Sequence, residues 1–171
     1  NGGKIYVNST GDGIDSNGPL TITGGQTFAI GGRNPEGGID CDQSTFKITG
    51  GILLGLGGST SSPTAQVSTQ PSVILGGGSS GELISIISTD AQEALTFKSP
   101  ISFTTLLFSS PKLLQGKTYS IYSSGEIIAE EDFFGLYIKG SYQNGQKSAT
   151  TFTSSSMVTR VGGNIGPGGR P

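Results

Sequence analysis

Asp12, Asp15 and Asn17 crowd into one short run, Asp12-Gly13-Ile14-Asp15-Ser16-Asn17-Gly18. Asp40 and Asp42 stand in a degenerate second copy, Gly38-Ile39-Asp40-Cys41-Asp42. Carboxylate and amide oxygens at this density suit calcium, a hard cation that takes oxygen ligands in an adaptable geometry. The same residues beside glycine also serve as turn caps that bond their own backbone. The run is not an EF-hand loop, because its ligand positions and terminal glutamate do not match, and it is not the nonapeptide calcium repeat either.

A second group of residues suits sugars. Lys4, Arg33 and Lys47 offer cations to uronate carboxylates. In a chain without tryptophan, Tyr122, Tyr137 and Tyr142 are the aromatic platforms on which a pyranose ring would stack. Each has a plainer reading: a solvated turn cation for the first three, strand packing for the tyrosines. Catalysis finds little support. With no histidine there is no triad and no partner for Cys41, and no pair of carboxylates is singled out for glycoside hydrolysis. A lyase that used lysine or arginine as base beside calcium is the remaining catalytic reading; the expectation is a protein that is not an enzyme.

The elements that must position these groups are legible in the spacing. Gly13 to Gly38 is 25 residues and Ile22 to Ile48 is 26, so one residue is inserted between two otherwise matched units, as belongs in a turn. Gly2-Gly3, Gly24-Gly25 and Gly50-Gly51 are three corners, each followed by a short apolar segment: Ile5 to Val7, Thr27 to Ile30 and Ile52 to Leu56. Several short strands per repeat predict a parallel β-solenoid over residues 1–58, with Ile14, Leu20, Ile22 and Ile30 stacked on Ile39, Phe46, Ile48 and Leu56. Equivalent residues of successive turns would lie about 4.8 Å apart, bringing Asp15 beside Asp40 and Asn17 beside Asp42. The chain opens on what reads as the second half of a repeat, the expectation being processing or truncation upstream.

Residues 59–72 form a polar, proline-containing connection, extended along the surface or mobile. Over 73–161 the pattern changes to antiparallel β: strands at Val73–Leu75, Glu82–Ser88, Ala94–Lys98, Thr104–Ser109, Thr118–Tyr122, Leu136–Tyr142 and Ala149–Thr153. Gly76-Gly77-Gly78 and Asp90-Ala91-Gln92 read as hairpin loops, Asn144-Gly145 as a two-residue hairpin turn, and Glu130 to Phe134 as a helical turn or loop. Residues 162–171 read as a flexible Gly/Pro-rich tail. The fold class is therefore all-β, a short parallel solenoid capped or flanked by antiparallel strands.

Charge and composition narrow the partners. The net charge is −2, and residues 1–58 carry all of the excess, with five acids against Lys4, Arg33 and Lys47. No basic stripe exists for nucleic acid, and no apolar run is long enough for a membrane span. The sequence shows no signal peptide, and Cys41 alone excludes an intrachain disulfide.

The Asp12 to Gly25 run with its degenerate second copy, the connection ending in Gln70-Pro71-Ser72-Val73, and Phe108-Ser109-Ser110-Pro111-Lys112-Leu113 followed by Gly116-Lys117-Thr118-Tyr119 resemble the carboxy-terminal part of bacterial secreted β-helix proteins with a carbohydrate-binding domain. The resemblance covers residues 1 to about 125. It implies a right-handed parallel β-helix like that of polysaccharide lyases, cell-surface display, calcium sites, and binding of acidic or plant-type polysaccharides such as pectin or cellulose without cleavage. The expected function is an extracellular carbohydrate-binding protein. The alternative is a structural or adhesive filament subunit, a homo-oligomer built by head-to-tail stacking or strand addition at the solenoid ends.

Overall fold

Alternating apolar and hydroxyl residues around paired glycines give the first third of the chain its strands. They are β1 (Lys4–Asn8), β2 (Ile14–Ser16), β3 (Leu20–Ile30), β4 (Ile39–Cys41) and β5 (Phe46–Gly57). The structure, a computed structural model, describes residues 2–42 and 44–162, and every regular element in them is a strand. β1 pairs with β3, β3 with β5 and β2 with β4, all in parallel. The register is the one the repeat predicts: Ile14 faces Ile39, Asp15 faces Asp40, Leu20 faces Phe46, Ile22 faces Ile48 and Ile30 faces Leu56. The inserted residue falls between β4 and β5, in the turn.

The two long strands bend at their glycine pairs, where Gly25 has φ +83° and Gly51 has φ +90°. A Cβ on Gly25 would lie 2.6 Å from the Gly3 carbonyl oxygen, and one on Gly51 would lie 2.7 Å from the Gly24 carbonyl carbon, so stacked backbones leave no room for a side chain. Before the bend β3 alternates half-buried Leu20 and Ile22 with exposed Thr21 and Thr23. After it, Thr27 to Ile30 are all buried, the mark of a strand covered on both faces.

The connection 59–71 lies extended along β4 and the first half of β5. Its N–H groups at Ser61, Thr64 and Thr69 donate to the carbonyls of Ile39, Phe46 and Ile48. In return the hydroxyls of Ser61, Thr64 and Ser68 accept from the N–H groups of Cys41, Phe46 and Ile48 at 2.9, 3.1 and 3.1 Å. Gln70 finishes the strip, donating from Nε2 to the Gly51 carbonyl and to Ser109 Oγ.

The remaining strands are β6 (Ser72–Leu75), β7 (Leu83–Ser88), β8 (Glu93–Lys98), β9 (Thr105–Ser109), β10 (Thr118–Ser123), β11 (Glu126–Phe133), β12 (Leu136–Gln143), β13 (Gln146–Thr153) and β14 (Val158–Arg160). β9 pairs antiparallel with β5, and β6 and β14 extend the same sheet, giving the mixed order β1-β3-β5-β9-β6-β14. Strands from both sides of the connection thus share one sheet. A second sheet, β11-β12-β8-β7-β10-β13, is wholly antiparallel. Between the two sheets lies the larger core, with Phe28, Leu54, Phe97, Phe108 and Tyr119; Ala29, Ile39, Phe46, Ile48 and Leu53 form a smaller one on the other side of the first sheet.

Asp90-Ala91-Gln92 closes the β7–β8 hairpin as expected, with Ala91 at φ 62°. Three other expectations are corrected. Gly76-Gly77-Gly78 is not a hairpin loop, because β6 and β7 belong to different sheets; it is a crossover in which Gly78 exchanges backbone bonds with Phe103. Glu130 to Phe134 is neither helical turn nor loop: it ends strand β11 and enters the β11–β12 hairpin at Phe134-Gly135. Asn144-Gly145 is a bend and not a hairpin turn, because the strands it joins do not pair with each other. β12 pairs with β11 and β8, and β13 with β10.

That last arrangement requires a curled sheet. Two-residue links, Ser124-Gly125 and Asn144-Gly145, join strands far apart in the sheet order, and they meet: a Cβ on Gly125 would lie 2.5 Å from the Gln143 carbonyl oxygen. From residue 163 on, the segment expected as a flexible tail lies outside the described residues.

Candidate functional site

A broad concavity lies where the glycine turns after β3 and β5 face the loop before β9. It has a volume of about 1050 Å³ and is lined by Asn8, Ser9 and Thr10, the turns at 31–34 and 57–58, and Ser80 with residues 100–104. The turn wall is glycine by necessity. A Cβ on Gly31 would fall 1.8 Å from the Gly37 carbonyl oxygen, and one on Gly58 would fall 1.8 Å from the Asn34 nitrogen. Backbone bonds hold the walls, from Gly32 N to the Gly11 carbonyl, from Gly58 N to the Gly32 carbonyl and from Thr104 N to the Gly57 carbonyl. Thr104 Oγ1 also donates to the Gly58 carbonyl at 2.7 Å, tying the far wall to the turns.

Some lining hydroxyls are committed to this frame: Ser80 Oγ donates to the Pro100 carbonyl, and Ser102 Oγ accepts from the Ser80 N–H. The side chains of Asn8, Thr10, Arg33 and Asn34 make no hydrogen bond or ion pair among the described residues. Among the described residues, Arg33 is the only charged one in the lining. Of the residues expected from sequence to meet sugar, it alone lines this cleft.

The other candidates are dispersed. Lys4 Nζ bonds Glu131 Oε1 at 2.5 Å and sits 5.7 Å from the Phe133 ring centroid. The hydrogen bond from Lys4 holds the Glu131 carboxyl below its ordinary range. Lys47 is half-buried opposite Thr21 on β3. Tyr122 and Tyr142 pack edge to face at 6.4 Å beside the two crossing turns, and Tyr142 donates to the Ser124 carbonyl at 2.7 Å. Burial, then the neighbouring Tyr122 and Glu93, push the Tyr142 phenol up to about 12. These two rings pack the corner more than they present a face. Tyr137, raised by burial and by Asp132, lines a smaller pocket of about 220 Å³ with Glu93, Lys112 and Ile52.

Asp15 and Asp40 do face each other across β2 and β4. Asp12 Oδ1 accepts from Gly37 N at 2.7 Å, and Asp40 Oδ1 accepts from Ser61 Oγ at 3.0 Å. Asn17 and Asp42 are exposed, and the nearby turn is closed by Ser16, whose hydroxyl donates to the Gly18 carbonyl. Among the described residues no three carboxylate or thiol side chains gather as a metal-holding group. The donors already on Asp12 and Asp40 are those of turn caps. One of the five acids of residues 1–58 that was not among the candidate ligands joins them: Glu36, whose hydrogen bond to Asp12 and repulsion from it hold its carboxyl above the usual range, with burial, Asp40 and Asp15 adding to the effect.

Sequence reasoning missed most of the cleft. Asn8 ends a strand, and Thr10, Asn34, Ser80, Ser102 and Thr104 lie in the loops between strands, where no local motif marks them. A signal was present in the second set of paired glycines, Gly31-Gly32 and Gly57-Gly58, which repeat at the same 26-residue spacing as Ile22 and Ile48. No protein-family model matches this sequence, and no curated protein or solved structure matches it.

Proposed function

We propose that the chain is a non-catalytic, extracellular binding module for an acidic polysaccharide, seated in the cleft around Arg33. The observation that carries this is the lining itself: unengaged amide, hydroxyl and guanidinium groups along a cleft of about 1050 Å³, with no carboxylate, lysine or cysteine among them. Amides and hydroxyls match sugar hydroxyls. A single guanidinium in an otherwise uncharged lining matches a uronate carboxylate, with two parallel hydrogen bonds available. In this reading β1 to β5 are turns of a short β-solenoid, and the antiparallel strands supply the cleft's second wall.

Affinity electrophoresis through polygalacturonate and through a neutral β-glucan tests it. The acidic gel should retard the protein, added salt should weaken the effect, and Arg33→Met should lower affinity about tenfold. Free migration through every acidic polysaccharide would overturn the reading.

A second reading, a filament subunit, is favoured by one observation: among the described residues β1 and β2 each pair on one side only, leaving backbone groups on their outer edges for another strand. Concentration-dependent light scattering separates the two, since a monodisperse monomer at high concentration removes the filament.

A further inference from the structure

Residues with positive φ are usually glycine, asparagine or aspartate, because a bulky side chain there collides with its own backbone. Among the described non-glycine residues with positive φ, Ala91, Ser124 and Asn144 are small or polar, and Phe134 at φ 53° is the one large side chain. It is followed by Gly135 at φ 87°, so the β11–β12 hairpin turns through two positive-φ residues, a geometry that favours Asn-Gly. Burial of the ring does not explain the choice, since Phe134 remains 61% exposed. It lies flat on Tyr6, with ring centroids 4.0 Å apart and planes inclined by 9°, and Phe133 meets it edge-on at 5.4 Å.

Tyr6 in turn is seated edge-on against Phe28 at 5.6 Å, on the first sheet. The exposed ring is therefore backed by a stack anchored in the core and cannot easily swing away. Beside it, Lys4 and Glu131 form an ion pair whose side chains stay 50% and 29% exposed, leaving N–H groups and carboxylate lone pairs toward solvent. A flat apolar face rimmed by charged hydrogen-bonding groups is the complement of a pyranose, which has C–H groups on its faces and hydroxyls around its edge.

Position along β1 joins this platform to the cleft. Lys4, Tyr6 and Asn8 alternate onto one face of the strand, and Asn8 lines the cleft, about 7 Å beyond Tyr6 at the usual strand rise. We infer that Phe134 stacked on Tyr6 is an outer sugar subsite, with Lys4 and Glu131 as its polar rim, for a glycan that enters the cleft at Arg33 and runs back along β1. This rests on the acidic-polysaccharide reading above and adds to it a position that only a longer chain reaches.

Calorimetry of the full chain with short and long oligogalacturonides tests the subsite, using Phe134→Asn, Phe134→Tyr and Arg33→Met. Phe134→Asn gives the turn the residue type it favours, so its Tm should equal or exceed that of the parent, by about 2–4 °C for a chain of this size. It should lose about tenfold in affinity for long oligomers and nothing for short ones, while Phe134→Tyr keeps both. Arg33→Met should weaken both lengths. Equal binding of long oligomers by Phe134→Asn and the parent would overturn the subsite and leave the cleft standing. So would a fall in Tm with an unchanged ratio of long to short affinities, which would mark Phe134 as a structural pin. Failure of the parent to bind any oligogalacturonide, short or long, would overturn the cleft reading and the subsite with it.

Discussion

The stack of parallel strands ends differently on its two sides. Beyond β4 and the first half of β5, the chain runs back along the edge as residues 59–71, and Ser61, Thr64 and Ser68 take the N–H groups of Cys41, Phe46 and Ile48 onto their hydroxyls. Beyond β1 and β2, no described strand follows. The covered side shows that an edge can be satisfied without a further strand. The segment includes Pro63 and Pro71, which have no N–H to donate, yet side-chain oxygens at intervals complete what the backbone alone would not. A serine- and threonine-rich stretch that reads as linker is here the substitute for a turn of sheet.

The largest expected effect follows from stripping that cover. Ser61→Ala, Thr64→Val and Ser68→Ala together leave three N–H groups unpaired, each worth about 1–2 kcal/mol, and should lower unfolding free energy by about 3–5 kcal/mol in urea titrations. A loss under about 1 kcal/mol would mean that the hydroxyls decorate the edge instead of satisfying it.

Next comes a contrast between equivalent corners. Gly51 and Gly3 both have positive φ, but a Cβ on Gly51 meets backbone at 2.7 Å whereas one on Gly3 meets nothing within 4 Å. Gly51→Ala should therefore cost about 2–4 kcal/mol and Gly3→Ala about 1 kcal/mol, the second reflecting backbone strain alone. Equal costs would show that the open side is as tightly stacked as the covered one.

A smaller effect concerns acidity at the turns between strands. Asp12 raises the Glu36 carboxyl above its ordinary value of 4.5, so the folded state holds that proton more tightly than the unfolded chain does. Stability from this pair is present in full below the ordinary value and is lost as pH rises through the raised one. Tm should therefore show a contribution that falls as pH climbs from 4.5 toward neutrality, and Glu36→Gln should remove that slope and raise Tm at neutral pH. An unchanged slope in the variant would place the acid pair apart in solution. The smallest expected effect is that of calcium: Asp12 and Asp40 already have N–H and O–H donors, so adding calcium or a chelator should leave Tm within experimental error.

What could be read in advance follows from how local each cause is. The pairing of Ile14 with Ile39 and of Leu20 with Phe46 is written as a spacing, because parallel pairing imposes the same requirement on each copy of the repeat. Strand β11 was hidden because Glu130, Glu131 and Asp132 carry no apolar alternation, and it is held by β12 on one side only. Asn144-Gly145 reads as a hairpin turn but is a bend, because which strands pair depends on the curl of a whole sheet. The cleft draws on several separated segments, so Arg33 was visible only as a lone cation among three. Phe134 was invisible as a platform, since nothing in its neighbours announces a positive φ.

One arrangement in the first sheet bears on the order in which the molecule is completed. β14, at residues 158–160, lies in parallel beside β6, with Ser72 N donating to the Met157 carbonyl and Val161 N to the Ile74 carbonyl. A chain made from its amino end therefore shows Val73 and Ile74 on a bare sheet edge until some 85 further residues have emerged, the separation of Ser72 from Met157. Through that interval the outer edge of β6 is open to pairing with another strand. The last short strand acts as the clasp that ends the exposure.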